Sequence, residues 1–186
     1  MRKLVSFMQV SLDGFFADTS GDLSWAKAKQ DAEFQAFVEQ NARGGGVLLF
    51  GRMTYEMMAS YWPSPVALKN DPVVAESMNS LPKIVFSRTL SKANWSNTTL
   101  IKGDLATEIP KLKKGDGEGM AILGSGSLVS QLAELGLIDE YQILVNPVAL
   151  GRGRTIFAGI QKKLALTHTE TRTFRNGSVF LCYEPV

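Results

Sequence analysis

The stretch Val47-Leu48-Leu49-Phe50-Gly51-Arg52-Met53-Thr54 decides how this chain is read. Four apolar residues without polar alternation describe a strand covered on both faces, and Gly51 turns it into a short helix expected over Met53 to Ser60. The pattern recurs twice: Ile84 to Phe86 runs into Ser87-Arg88, and Met120 to Leu123 runs into Gly124-Ser125-Gly126-Ser127. If the strands are parallel, all three turns lie along one edge of one sheet, where an open α/β fold binds its ligand. Backbone N–H groups and arginines gathered at such an edge suit phosphate and point to a nucleotide cofactor.

Outward from these strands the chain alternates β and α signals. Leu4, Val5, Phe7, Met8 and Val10 form a first strand closed by Ser11-Leu12-Asp13-Gly14. Phe34, Phe37, Val38 and Ala42 recur at helical spacing until Gly44-Gly45-Gly46. Asp71-Pro72 is a helix start with Asp as N-cap, and Val74, Met78 and Leu81 mark its inward face. A strand near Thr98 to Lys102 precedes a helix over Asp104 to Lys113, which Pro110 is expected to end early. Leu128, Val129, Leu132 and Leu135 give the next helix an apolar face closed by Gly136. From Tyr141 onward the signals are all strand, over Tyr141 to Val145, Leu164 to Phe174 and Ser178 to Glu184, with Asn176-Gly177 as a two-residue hairpin turn. The sheet therefore finishes antiparallel, and one domain over residues 1–186 accounts for the whole pattern.

Length and composition narrow the function classes. A chain of 186 residues that is 45% hydrophobic and 20% charged is an ordinary globular protein with room for one sizeable core. The net charge of +2 comes from interspersed signs, so no nucleic-acid stripe is expected, and no apolar run is long enough to suggest a membrane span; Lys111 to Lys114 is read as a solvated helix end. The single cysteine, Cys182, fits a reducing compartment, and Met1-Arg2-Lys3 is not followed by a long enough apolar run for a signal peptide, so the cytoplasm is expected.

Gly124-Ser125-Gly126-Ser127-Leu128-Val129 is a G-x-G turn between strand and helix, but Val129 stands where the dinucleotide fingerprint has its third glycine. A tight turn needing glycine for backbone reasons is the competing explanation. Arg52, with Thr54 two residues on, and Arg88, after Ser87, occupy matching places on neighbouring strands. Two guanidinium groups converging there suggest a 2'-phosphate and NADPH as the cofactor; two unrelated surface arginines are the alternative. One histidine, His168, and one cysteine supply no tetrahedral metal set, so no metal is expected. Asp13, Asp18, Asp22 and Asp31 cluster near the first strand and helix, and one of them could act as a proton source.

Taken in order, Ser11-Leu12-Asp13-Gly14, Leu49 to Glu56, Phe86-Ser87-Arg88, Gly124-Ser125-Gly126, Gly136 to Glu140 and Pro147 to Gly153 resemble the dihydrofolate reductase superfamily. Within that superfamily the chain is most similar to the C-terminal reductase domain of the bifunctional riboflavin-biosynthesis protein. The resemblance implies a three-layer α/β fold: a central mixed sheet of about eight strands, mostly parallel with an antiparallel C-terminal end, and helices on both faces. It implies NADPH bound by Gly51, Arg52 and Thr54, by Ser87 and Arg88, and by Gly124, Ser125, Gly126, Ser127, Leu128 and Val129, with the nicotinamide near Met8, Gln9, Phe16 and Ala17. Asp13 and Trp25 would line the substrate side, and the proton for catalysis is expected from Asp13, Asp31 or water.

Asp31 is out of register with the carboxylate of true dihydrofolate reductases, and the zinc deaminase motifs of the bifunctional protein do not occur. The expected activity is hydride transfer from NADPH to a small heterocyclic substrate, similar to 5-amino-6-(5-phosphoribosylamino)uracil reductase. Dihydrofolate reductase and a non-catalytic NADP-binding module are the alternatives. A homodimer is the expected assembly.

Overall fold

A computed structural model describes residues 1–26 and 31–186. Among the described residues ten strands and six α-helices follow in chain order: β1 (Leu4–Ser11), β2 (Phe15–Ala17), a 3-10 turn (Ser24–Ala26), α1 (Ala32–Arg43), β3 (Val47–Gly51), α2 (Arg52–Tyr61), α3 (Pro65–Asn70), α4 (Pro72–Ser80), β4 (Lys83–Phe86), β5 (Thr98–Ile101), α5 (Leu105–Lys114), β6 (Met120–Leu123), α6 (Gly126–Glu134), β7 (Glu140–Asn146), β8 (Arg154–Thr155), β9 (Leu166–Thr173) and β10 (Val179–Pro185). Eight strands form one sheet in the order β5-β4-β3-β6-β1-β7-β10-β9, and β2 pairs with β8 in a small ribbon. From β5 to β7 all neighbours are parallel, and β10 and β9 close the sheet antiparallel. The expected α/β architecture is therefore present.

Alternation along the strands divides the core. Leu49 and Ile84 point to the face covered by Ile109 of α5 and by Leu128, Val129 and Leu132 of α6. Leu48, Phe50 and Val85 point the other way, to Tyr55 of α2 and to Val74 and Met78 of α4. On that second face Phe37 of α1 packs on Leu144 and Phe180. The chain steps outward through β3, β4 and β5, then returns through β6 between β3 and β1. A reversal of this kind sends the connecting helices to opposite faces and opens a crevice at the strand ends.

Five local expectations are corrected. Helix α3 was not anticipated, although Ser64-Pro65 is an N-cap followed by Pro, and Ser64 Oγ accepts from Ala67 N. Asp71 ends α3 and begins α4, and its side chain makes no cap bond. Helix α5 runs through Pro110 to Lys114; the fully buried Ile109 anchors it to the core despite the missing N–H. The hairpin loop has three residues: Gly177 N donates to Phe174 O, Phe174 N donates to Ser178 O, and Gly177 adopts φ +88°. In α6, Leu135 lies past the last helical turn and is exposed, while Gly136 at φ +64° closes the helix as Leu137 N donates to Leu132 O.

Lys83 opens β4 with its side chain inside the protein, 1% exposed. Its Nζ donates to the carbonyls of Met78, Asn79 and Leu81 at 2.8, 3.2 and 2.6 Å and lies 4.5 Å from the Trp95 ring centroid. The ammonium thus closes the C-terminal end of α4, where the helix dipole favours a cation. Burial pushes its pKa down to about 8, and the carbonyls and the indole oppose that push. Lys83→Met keeps the volume and removes three donors from buried carbonyls; urea denaturation should show a loss of about 2–4 kcal/mol.

Candidate active site

Parallel registry brings the three sequence turns together. β3 lies between β4 and β6, so the starts of α2 and α6 and the loop after β4 stand side by side at one edge. Ser125 joins the two helix starts: its Oγ accepts from Gly51 N at 2.8 Å. To do so Ser125 sits in the left-handed region at φ 63°, ψ 61°, directly after Gly124 at φ 63°. Such backbone costs a non-glycine residue about 1–3 kcal/mol and is held only where surrounding contacts enforce it. A Cβ on Gly124 would stand 3.2 Å from Thr54 Cγ2, and one on Gly51 would stand 3.3 Å from Ser125 Oγ. The first intrahelical bonds of α6 come from Leu128 N and Val129 N to Ser125 O, which leaves the amides of Ser125, Gly126 and Ser127 ahead of them. Unused amides at a helix start favour an anion.

Cationic groups flank this edge on the β4 side. Arg52, in the first turn of α2, donates from Nε to Glu56 Oε1 at 2.9 Å and from Nη1 to Thr89 Oγ1 at 2.8 Å. Ser87 Oγ accepts from Thr89 N and Leu90 N, so it shapes the loop that carries Arg88. Arg88 is exposed and makes no ion pair among the described residues. The sequence singled out Arg52, Ser87 and Arg88; Thr89, which ties Arg52 to their loop, carried no signal beyond being a neighbour.

On the other side of the edge lies β1. Strand β6 pairs with it only as far as Leu123 opposite Phe7, and Gly124 N donates to Phe7 O. By alternation the main chain of Gln9 faces the same side, beyond the end of β6. Met8, Leu128 and Val129 are committed elsewhere: their side chains are core, and the Leu128 and Val129 amides are bonded within α6. Phe16 lies across the start of α6 so closely that a Cβ on Gly126 would overlap its ring. The backbone of Ala17 and the side chain of Phe15 press in the same way on Gly153. Two glycines thus seat the β2 segment, and Gly126 serves the packing of Phe16 as well as the approach of any anion.

The carboxylates act as anchors. Asp13 Oδ1 accepts from Ser11 Oγ at 2.6 Å, and its two oxygens accept from Leu150 N and Gly151 N at 2.7–3.1 Å. The Ser11 hydroxyl and these amides hold its pKa down to about 2, so it stays ionised and is a poor proton donor at neutral pH. Asp13 fastens the segment after β7 to the turn after β1. Asp31 caps α1 by accepting from Glu33 N, and its second oxygen accepts from Asn176 N at 3.2 Å. Trp25, half-buried in the 3-10 turn beside β1, donates from Nε1 to Asp22 O at 3.1 Å. Residues 27–30, between Trp25 and Asp31, lie outside the described residues. His168 is exposed on the outermost strand, paired with Thr171, and burial pushes the Cys182 thiol up to about 11. No helix among the described residues is long and apolar enough to cross a membrane.

With this geometry the comparison with known proteins is direct. A match to the RibD C-terminal domain spans residues 2–180. The chain belongs to the RibD C-terminal domain family. Two proteins of Bacillus subtilis (strain 168) align along nearly all of it: YyaP, 29% identical over 182 residues, 98% of this chain and 94% of YyaP, and YwjB, 26% identical over 176 residues, 93% of this chain and 92% of YwjB. Among solved structures, a putative riboflavin biosynthesis protein from Shewanella sp. PV-4 superposes with a TM-score of 0.75 at 25% identity, covering 99% of both chains. The Thermotoga maritima diaminohydroxyphosphoribosylaminopyrimidine deaminase/5-amino-6-(5-phosphoribosylamino)uracil reductase shares the fold with a TM-score of 0.68 at 15% identity. This chain spans 57% of that longer protein. The RibD C-terminal domain match and the superposition together cover nearly the whole chain.

Two measurements test the site's internal logic. Gly126→Ala should lower stability by about 1–3 kcal/mol through overpacking against Phe16, and the double variant with Phe16→Ala should recover most of it in thermal unfolding. Asp13 contributes stability that is fully present above its unfolded pKa of 3.8 and is lost as the pH falls toward about 2. Acid unfolding of Asp13→Asn should therefore lose the part of the pH dependence that wild type shows between pH 4 and pH 2.

Proposed function

We propose that this RibD-family chain is an NADPH-dependent reductase that transfers hydride to a small heterocyclic substrate, similar to 5-amino-6-(5-phosphoribosylamino)uracil reductase. The observation that carries this reading is the pair of helix starts locked by Ser125 with Arg52 and Arg88 beside them. Free amides, a left-handed turn at Gly124 and Ser125, and two guanidinium groups fit a molecule bearing a pyrophosphate and a third phosphate. When bound, NADPH would supply the hydride.

The residues of this chain would bind, orient and exclude water. Ser125, Gly126 and Ser127 would hold the pyrophosphate through their amides, with Thr54 and the Arg52 side chain on its flank. Arg88, on the loop shaped by Ser87, is the group to meet a 2'-phosphate. The main chain of Gln9, beyond the end of β6, would orient the nicotinamide end, and Phe16 would close the site against solvent. The committed carboxylate of Asp13 leaves water as the proton source for this reading.

Dihydrofolate reduction receives less support, since both oxygens of Asp31 serve the α1 cap and the hairpin. A non-catalytic NADP-binding module is the reading that the locked Asp13 favours, and turnover separates it from a reductase. Loss of NADPH absorbance should follow addition of the ribosylaminopyrimidine precursor and not of dihydrofolate. A charge-assisted hydrogen bond contributes about 1.5–3 kcal/mol, so Arg88→Ala should weaken NADPH binding roughly ten- to hundredfold and leave NADH nearly unchanged. Equal losses for both nucleotides, read by fluorescence titration, would remove Arg88 from this role.

A further inference from the structure

Between α2, the end of α4 and the segment that joins β4 to β5 lies a cavity of about 600 Å³. One side of α2 supplies Tyr55 and Glu56, α4 supplies Asn79, and the joining segment supplies Leu90, Lys92 and Trp95. Small-molecule sites commonly enclose about 300–1,000 Å³, so the volume suits such a ligand. The cavity adjoins the edge at Gly124 through Glu56, whose Oε1 accepts from Arg52 Nε at 2.9 Å, but Tyr55 and Trp95 belong to the core on the α2–α4 face. Its floor is preformed. Trp95 N donates to Tyr55 Oη at 3.0 Å and Trp95 Nε1 donates to Asn79 Oδ1 at 2.8 Å, with the Tyr55 and Trp95 ring centroids 6.2 Å apart. The indole is further held by Lys83 Nζ, 4.5 Å from its centroid. Fixed aromatic surface of this kind favours a planar, apolar ligand body.

The polar groups left over set the rest of the ligand. Asn79 is spent: its Oδ1 accepts from Trp95 and its Nδ2 donates to Trp62 O. Tyr55 Oη accepts from Trp95 N, and its own proton goes to no group among the described residues. Lys92 is exposed and forms no ion pair among the described residues. The Lys83 ammonium beside the indole adds to the positive charge. One phenol O–H and one unpaired ammonium call for an acceptor that carries negative charge. Glu56, with one oxygen on Arg52, places a carboxylate in the wall and weighs against a dianion such as phosphate. A single carboxylate on an aromatic ring meets both conditions.

We propose that this cavity is a second ligand site, which takes a small aromatic carboxylate with its ring on Trp95 and Tyr55 and its carboxylate on Lys92 and the Tyr55 hydroxyl. The site stands apart from the reductase reading, because none of the groups that would hold the nucleotide is needed to fill it. Ligand and nucleotide therefore bind together, on the two sides of the Arg52–Glu56 pair.

The test is calorimetric titration of the full chain with indole-3-acetate and with its neutral amide, indole-3-acetamide, in the absence and presence of saturating NADPH. Wild type should bind the carboxylate with a Kd of about 1 mM or tighter and prefer it to the amide by about three- to tenfold. Lys92→Met, at an exposed position, should remove that preference and leave the affinity for the amide unchanged. Ser60→Trp, on the exposed rim of the cavity, should abolish binding of both probes, and thermal unfolding checks that each variant is folded. NADPH should leave the affinity for the carboxylate within about twofold. Binding of neither probe by wild type, equal affinities for the two, an unmoved ratio in Lys92→Met or retained binding in Ser60→Trp overturns the inference. Displacement of the probe by NADPH overturns it too, since that result puts the probe at the Gly124 edge. A chain that binds the probe and not NADPH would overturn the reductase reading and leave this inference standing.

Discussion

The site depends on one hydrogen bond across two chain segments, from Gly51 N to Ser125 Oγ. It holds a serine in backbone that side chains normally avoid, and it fixes the start of α6 against the start of α2. Without it, the left-handed turn at Gly124 and Ser125 has less to oppose its strain, and the amides that follow lose a defined direction. An anion site made of main-chain donors works only if those donors are aimed before the ligand arrives. Placing β3 next to β6, although 73 residues separate Val47 from Met120, makes the bond possible.

The strands that carry the site are held from both faces. The apolar runs in β3 and β4 split by alternation between the α5–α6 layer and the α2–α4 layer, so neither strand can slide without moving two sets of helices. Lys83 adds a polar lock where α4 ends and β4 begins, with three carbonyls and an indole around one ammonium. Rigidity behind the sheet edge lets short turns, rather than long loops, present the functional groups.

Several residues at the edge hold structure while others remain free to meet a ligand. Asp13 and Asp31 are acidic and close to the crevice, yet their oxygens accept bonds that fasten loops. Leu128 and Val129 are used by the core and by α6 itself. Among the described residues, the three amides after Gly124, Arg88 and the main chain of Gln9 make no such structural bond.

The eight strands of the main sheet, the α/β order and the three turns at Gly51, Ser87 and Gly124 were legible in the sequence, because buried strands and tight turns leave local signatures in apolar runs and glycines, whereas the short β2–β8 ribbon was not. The missed helix at Pro65 also had a local signal, and the persistence of α5 through Pro110 did not, since the packing of Ile109 outweighs one missing bond. Only tertiary structure could decide what each polar group does. Asp13 reads in sequence as a candidate acid, and its role as an anchor comes from Leu150 and Gly151, more than a hundred positions away. Gly126 reads as phosphate chemistry, and the fold adds the Phe16 ring that rests on it. Local patterns record what a segment can form by itself; hydrogen-bond partners and contacts across the sheet depend on which segments meet, and that information is spread over the whole chain.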